Sequence, residues 1–177
     1  IYNTLIGGLS GDALTTGFEN VAIGTFSLTS DTLGRKSTAV GYEALKNQNF
    51  TSSTNSFNTA VGYNAGLSVT TGQENTLIGH SAGDELTTGN TNTAVGSLAL
   101  SSDTLGDRNV AIGRATLNTQ NFTSSTDSYN TAVGYDAGND ITTGVQNTLV
   151  GGLAGDVLTD ADFNTTLGYA TLSSDTQ

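Results

Sequence analysis

Ten times along the chain a five-residue phrase of the type Asn-Thr-Ala-Val-Gly returns at a nearly fixed interval, so the chain must build one short unit over and over. The phrases begin at Asn3, Asn20, Ser37, Asn58, Asn75, Asn92, Asn109, Asn130, Asn147 and Asn164, giving steps of 17, 17, 21, 17, 17, 17, 21, 17 and 17 residues. A fixed period of about 20 residues marks a solenoid or an array. Three steps of 17 and one of 21 make 72, and residues 72 apart match closely. Asn49-Phe50-Thr51-Ser52-Ser53-Thr54 returns unchanged as Asn121-Phe122-Thr123-Ser124-Ser125-Thr126. The chain has therefore grown by duplicating a block of four units.

Within the phrase the fourth position is always aliphatic and nearly always β-branched, as in Ile23, Val40, Val61 and Val95, with Leu167 last. On a strand such a column is expected to point into a core. A helix is excluded by the glycine that follows every time and by the absence of sustained apolar spacing of three and four. The expected fold is all-β: one parallel β-solenoid over residues 1–177, of about ten coils, with 17- and 21-residue units in a 72-residue super-repeat. At about 4.8 Å per coil this is a rod section on the order of 48 Å long. Ile1 lies just before a phrase, Gln177 ends partway through a unit, and the chain has no methionine, which reads as a segment of a longer protein.

Asn at the first position is expected to form a ladder along the axis through Asn3, Asn20, Asn58, Asn75, Asn92, Asn109, Asn130, Asn147 and Asn164, and to tolerate the left-handed backbone region. Ser37 interrupts that column. Glycine at the fifth position fits a corner needing positive φ or close backbone approach. The third position, with Ala22, Ala39, Ala60 and Leu77 among its members, is also apolar although it faces away from the fourth. A strand apolar on both faces is covered on both. Symmetric copies of the same chain supply such a cover most simply, so a homotrimer of parallel rods is expected.

The phrases resemble the head repeats of YadA-like trimeric autotransporter adhesins, whose consensus runs Asn-Ser-Val-Ala-Ile-Gly; Asn20-Val21-Ala22-Ile23-Gly24 and Asn109-Val110-Ala111-Ile112-Gly113 come nearest. They are equally similar to repeats of bacteriophage tail fibres, as in Asn58-Thr59-Ala60-Val61-Gly62-Tyr63-Asn64-Ala65-Gly66. The adhesin resemblance implies a left-handed parallel β-roll assembled as a trimer, with surface attachment as its role. Its head unit is shorter than 17 residues, and nothing here resembles its neck, stalk or anchor, so the longer unit favours the fibre.

Net charge is −11 with only five basic residues, which argues against nucleic acid and anionic membrane surfaces as partners, since both select clustered Lys and Arg. No stretch approaches the roughly 20 apolar residues of a membrane span, so no membrane insertion is expected in this segment. Cysteine is absent, which removes disulfides and thiolate metal sites. No catalytic residue, cofactor or metal site is expected. Asp12, Asp84 and Asp156 share one phase, and Asp31, Asp103 and Asp175 another, so each acid is a repeated feature expected on a solvated surface. His80 is the lone histidine, at a variable and therefore exposed phase. The extra residues of the long units, within Lys46 to Phe57 and Asn118 to Tyr129, are expected to bulge as loops, and the sequons at Asn49 and Asn121 would suit glycans there. A threonine column at the second position suggests an ice-binding array, but its parity with the fourth position points its methyls inward.

The expected function is structural and adhesive: the shaft or head segment of an extracellular fibre, on a bacterial surface or a virion, meeting a cell-surface glycan or receptor. The alternatives are a self-assembling extracellular filament of tandem repeats and a β-helical polysaccharide-processing fibre, the latter needing two acids about 5 to 10 Å apart.

Overall fold

In a computed structural model, which describes residues 2–174, the chain is a parallel β-solenoid of ten stacked coils with no helix among those residues. Each phrase contributes a three-residue strand: Thr4–Ile6 (β1), Val21–Ile23 (β2), Thr38–Val40 (β4), Thr59–Val61 (β6), Thr76–Ile78 (β7), Thr93–Val95 (β8), Val110–Ile112 (β10), Thr131–Val133 (β12), Thr148–Val150 (β13) and Thr165–Leu167 (β14). They pair in parallel in chain order as one ten-stranded sheet, phrase position on phrase position, as in Thr59↔Thr76, Ala60↔Leu77 and Val61↔Ile78. We number the coils 1 to 10 after their phrases.

The inward column is the third position, which corrects the sequence expectation. Ala22, Ala39, Ala60, Leu77, Ala94, Ala111, Ala132 and Leu149 are 0% exposed, whereas Ile78 and Ile112 at the fourth position are 37% and 39% exposed. The reason is the thinness of the coil. Opposite the Ala column run Ala44, Ala65, Ala82, Ala99, Ala137 and Ala154, also buried, and the space between holds little more than one large side chain per coil. Asn at position 1 and Gly at position 5 share the inward parity, so a buried Asn column forces position 3 inward as well.

That one large side chain is supplied in two ways. In coils 4, 5, 8 and 9 a glycine (Gly66, Gly83, Gly138, Gly155) is followed three residues later by a buried aliphatic (Val69, Leu86, Ile141, Leu158). In coils 2, 3, 6 and 7 the glycine's place is taken by Leu28, Leu45, Leu100 or Leu117, all at positive φ, and the aliphatic's place by Asp31, Gln48, Asp103 or Gln120, all fully buried. Asp31 and Asp103 are thus interior groups and not solvated ones, a second correction; Asp175 lies outside the described residues. Two coil types alternating in pairs account for the 72-residue super-repeat.

Glycine at position 5 is a steric requirement. Its φ lies between +131° and +143° throughout, and from coil 1 to coil 9 a Cβ there would come within 2.2 to 2.6 Å of the next coil's glycine backbone. The left-handed residue is the one before each Asn, such as Glu74 (φ 60°) or Arg108 (φ 62°), and not the Asn itself.

The four extra residues of the long units do more than bulge. Thr54–Asn55 (β5) pairs in parallel with Gly34–Arg35 (β3), and Thr126–Asp127 (β11) with Gly106–Asp107 (β9), while Phe50 and Phe122 are buried and anchor the loop bases. The tips, Ser52 and Ser53 or Ser124 and Ser125, are exposed, as are Thr51, Asn55 and Phe57 and their counterparts Thr123, Asp127 and Tyr129.

Candidate functional site

The ladder residues hold the coils together from inside. Each Asn Oδ1 accepts the backbone N–H of the phrase residue one coil on: Asn20 from Ser37, Asn58 from Asn75, Asn75 from Asn92, Asn92 from Asn109 and Asn130 from Asn147, each at 2.9 Å. Nδ2 donates across the coil to a carbonyl fourteen residues later, as from Asn75 to Gly89 at 2.8 Å and from Asn92 to Gly106 at 2.9 Å. Asn3 and Asn164 belong to the same series, Asn20 N donating to Asn3 at 2.9 Å and Asn164 N to Asn147 at 2.9 Å. Among the described residues, amide-to-amide bonds between one ladder Asn and the next occur only at Asn109–Asn92, Asn147–Asn130 and Asn164–Asn147, so the ladder is chiefly side chain to backbone.

Ser37 lacks an amide for the next phrase, and Asn58 N–H is directed instead at Ser56 Oγ at 3.5 Å, which also bonds Ser37 Oγ. Gln48 Nε2 donates to Ser37 Oγ and to Asp31 Oδ2, both at 2.7 Å, and its Oε1 accepts Asn58 Nδ2 at 2.9 Å. In the second super-repeat Gln120 donates to Asp103 Oδ2 at 2.6 Å and accepts from Asn130 at 2.8 Å. The carboxylates also close the turn that follows, Asp103 Oδ1 accepting Gly106 N–H at 3.0 Å. A buried acid that is fully bonded in this way is a structural device.

Burial pushes the Asp103 carboxyl above its ordinary value of 3.8, against the opposing pull of Gln120 and the backbone N–H groups around it. A raised folded pKa means that the fold prefers the protonated acid. The stability cost of the charge is absent below pH 3.8 and grows as pH rises through the folded pKa. Wild type should therefore gain stability relative to Asp103→Asn on acidification from neutral toward that value, followed by thermal unfolding at several pH values; a difference independent of pH would count against this.

Of the other acids, Asp12 is exposed and Asp84 and Asp156 are half-buried, with one unpaired carboxylate oxygen each at Asp84 and Asp156. No group of three or more His, Cys, Asp or Glu suited to a metal ion occurs among the described residues. Asn49 and Asn121 are exposed beside the loop tips, their Oδ1 atoms accepting Thr32 at 3.0 Å and Thr104 at 2.8 Å. No helix of the described residues is long and apolar enough to cross a membrane.

The outward face of the ten-stranded sheet is the feature that sequence reasoning placed on the wrong side. Positions 2 and 4 point outward, so the face carries a Thr column, interrupted by Val21 and Val110, beside an Ile/Val column. Neither column holds a charged residue in a chain of net charge −11. On either side lie the residues just before and just after the phrase, and both columns are rich in exposed rings. On one, Lys36 lies over Phe57 (5.3 Å) and Arg108 over Tyr129 (5.7 Å). On the other, Tyr42, Tyr63 and His80 stack at 5.4 and 5.6 Å with planes 9° and 13° apart, and Arg114 lies over Tyr135 (5.4 Å). His80 is exposed, as its phase indicated. Comparison with protein-family models, curated proteins and solved structures returned no match.

Proposed function

We propose that this chain is a shaft or head segment of an extracellular attachment fibre, on a bacterial surface or a virion, in which parallel copies pack through the outward sheet face. The observation that carries this reading is the uncharged, half-exposed Thr and Ile/Val face on an otherwise acidic rod. Copies that repel one another elsewhere can approach there. Ten coils at about 4.8 Å and a phrase of five residues at about 3.3 Å make a face of about 800 Å², the size that each partner contributes to a standard stable interface. Stiffness follows from ten strands in unbroken register and from the ladder beneath them. The role calls for no turnover; what the rod offers a cell-surface glycan or receptor is length and a repeated surface. A repeat that continues by the same stacking would equally make a filament.

Solution mass tests the reading. We expect a multiple of the chain mass, falling to a single chain in a Val61→Lys, Val95→Lys double variant whose circular dichroism stays that of a β-rod. A single-chain mass for the wild type would remove the assembly.

The outward Thr column favours one other activity, ordering of water at an ice surface, because its hydroxyls and methyls recur in register from coil to coil. A face buried between copies cannot do this. Thermal hysteresis together with a single-chain mass would replace the fibre by that reading.

A further inference from the structure

We propose that Tyr42 and Tyr63 form a site of oxidative cross-linking, at which a one-electron oxidant couples the two rings into a dityrosine and so bonds coil 3 covalently to coil 4. Both rings belong to one chain, so the cross-link needs no assembly.

Coupling requires neighbouring phenols that an oxidant can reach. Of the six tyrosines, only Tyr42 and Tyr63 hold the same place in consecutive coils. Their rings stack at 5.4 Å with planes 9° apart, and they are 42% and 52% exposed, with solvent beside them in which to turn from stack to biaryl. The backbone keeps them in step, the Asn64 N–H donating to the Tyr42 carbonyl at 3.0 Å. Each phenol gives up one electron and one proton to an oxidant such as peroxidase-activated hydrogen peroxide, which is reduced to two waters. The phenoxyl radicals then bond through their ortho carbons, and the ortho hydrogens move to the oxygens to restore both phenols. The charge of Glu43 raises the Tyr42 hydroxyl above its ordinary pKa of 10.0, so that ring starts neutral. The same carboxylate, hydrogen-bonded to it, is a base for the proton it releases.

The ring pair lies over the junction at which the interior ladder lacks its amide. Ser37 stands in the Asn column at coil 3, so the Asn58 N–H meets Ser56 Oγ at 3.5 Å, whereas the Asn75 N–H of the next coil meets the Asn58 amide oxygen at 2.9 Å. In the second super-repeat that column holds Asn109, whose Oδ1 accepts the Asn130 N–H at 3.3 Å, and Arg114 stands in place of Tyr42. The tyrosine pair is therefore present where the amide is missing and absent where the amide is kept. A covalent bond on the outside would tie coil 3 to coil 4 where the inside has lost a tie. His80 stacks on Tyr63 at 5.6 Å, so a Tyr63–His80 adduct is the competing product.

Trypsin reads the link directly, because cleavage after Lys36, Lys46 and Arg108 leaves Tyr42 as the one tyrosine of residues 37–46 and Tyr63 as the one tyrosine of residues 47–108. Peroxidase and hydrogen peroxide acting on the purified chain should join these two peptides, at their summed mass less two hydrogens, with the fluorescence of dityrosine. Tyr42→Phe should abolish the joined pair. Heavy-isotope-labelled and unlabelled chains, refolded together before oxidation, should yield joined peptides of a single label. Three results overturn the site: dityrosine that forms without joining these peptides, joined peptides of mixed label, or loss of two hydrogens within residues 47–108 in place of the join. So does a chain that forms no dityrosine at all.

Discussion

Gly113→Ala should destabilise the rod by about 2 to 6 kcal/mol, combining about 1 to 3 for an L-residue held in a glycine-only backbone region with about 1 to 3 for overpacking. The Cβ would stand 2.2 Å from the Gly134 carbonyl oxygen and 2.7 Å from its carbon, at a φ of +135°. Neither partner is a side chain that can swing away. Both belong to the next strand connection, so relief requires the coils to separate and the Gly134 N–H to Ile112 carbonyl bond at 2.8 Å to break. Gly152→Ala is the matched control: its φ is not positive, its nearest neighbour would be a Tyr169 ring carbon at 3.5 Å, and its effect should stay within about 0.5 kcal/mol. Stacked repeats unfold by neighbour-coupled steps, so amide exchange around coils 7 and 8 is a sharper readout than one global transition. Equal protection in the two variants would mean that the coils do not stack at this spacing.

Asn92→Ala should cost about 2 to 6 kcal/mol, because two buried backbone groups lose their partners at about 1 to 3 kcal/mol each. Nδ2 is the donor to the Gly106 carbonyl at 2.9 Å, and Oδ1 is the acceptor for Asn109 N–H at 2.9 Å. Removing the side chain therefore loosens coil 6 internally and unties it from coil 7. The neighbouring Thr91→Ala changes an exposed residue and should be nearly silent. Deuterium uptake that rises at Asn109 and Val110 in the first variant only is the expected pattern; similar uptake in both would reduce the ladder to decoration.

Ser37 shows how such a column survives a substitution. Its side chain leaves the Asn58 N–H to Ser56 Oγ, which also bonds Ser37 Oγ, while Gln48 bonds Ser37, Asp31 and Asn58 Nδ2 much as Gln120 bonds Asp103 and Asn130 beside an intact Asn109. This arrangement was not legible from the phrase column alone, because Gln48 and Ser56 lie in a stretch that reads as a polar return. A signal was nevertheless present: Leu appears where Gly stands in other units, at Leu28, Leu45, Leu100 and Leu117, always three residues before Asp31, Gln48, Asp103 or Gln120. Recurrence of Leu with Asp or Gln, in pairs of coils, was the mark of a second interior type.

Strand positions, parallel pairing, register and the need for glycine at each corner followed from spacing, since a phrase repeated every 17 or 21 residues has only one way to align with itself. Parity did not follow from residue size. A bulky β-branched column was assigned inward because large apolar groups usually fill cores, but this interior is only two small side chains deep. The Asn column carried the correct answer: a ladder satisfying backbone groups of successive coils lies inside, and position 3 shares its side of the strand.

What the sequence determined by itself is the solenoid: its period, its register, its glycine corners and its Asn ladder, all of which depend on local geometry that a repeat states ten times over. Tertiary structure showed which apolar column is enclosed and that Asp31 and Asp103 are interior, outcomes the sequence marks only indirectly, in the Asn column and in the recurrence of Leu with Asp or Gln. Those outcomes depend on the distance between opposite walls of a coil, a quantity set by how both walls close on each other and written in neither of them alone.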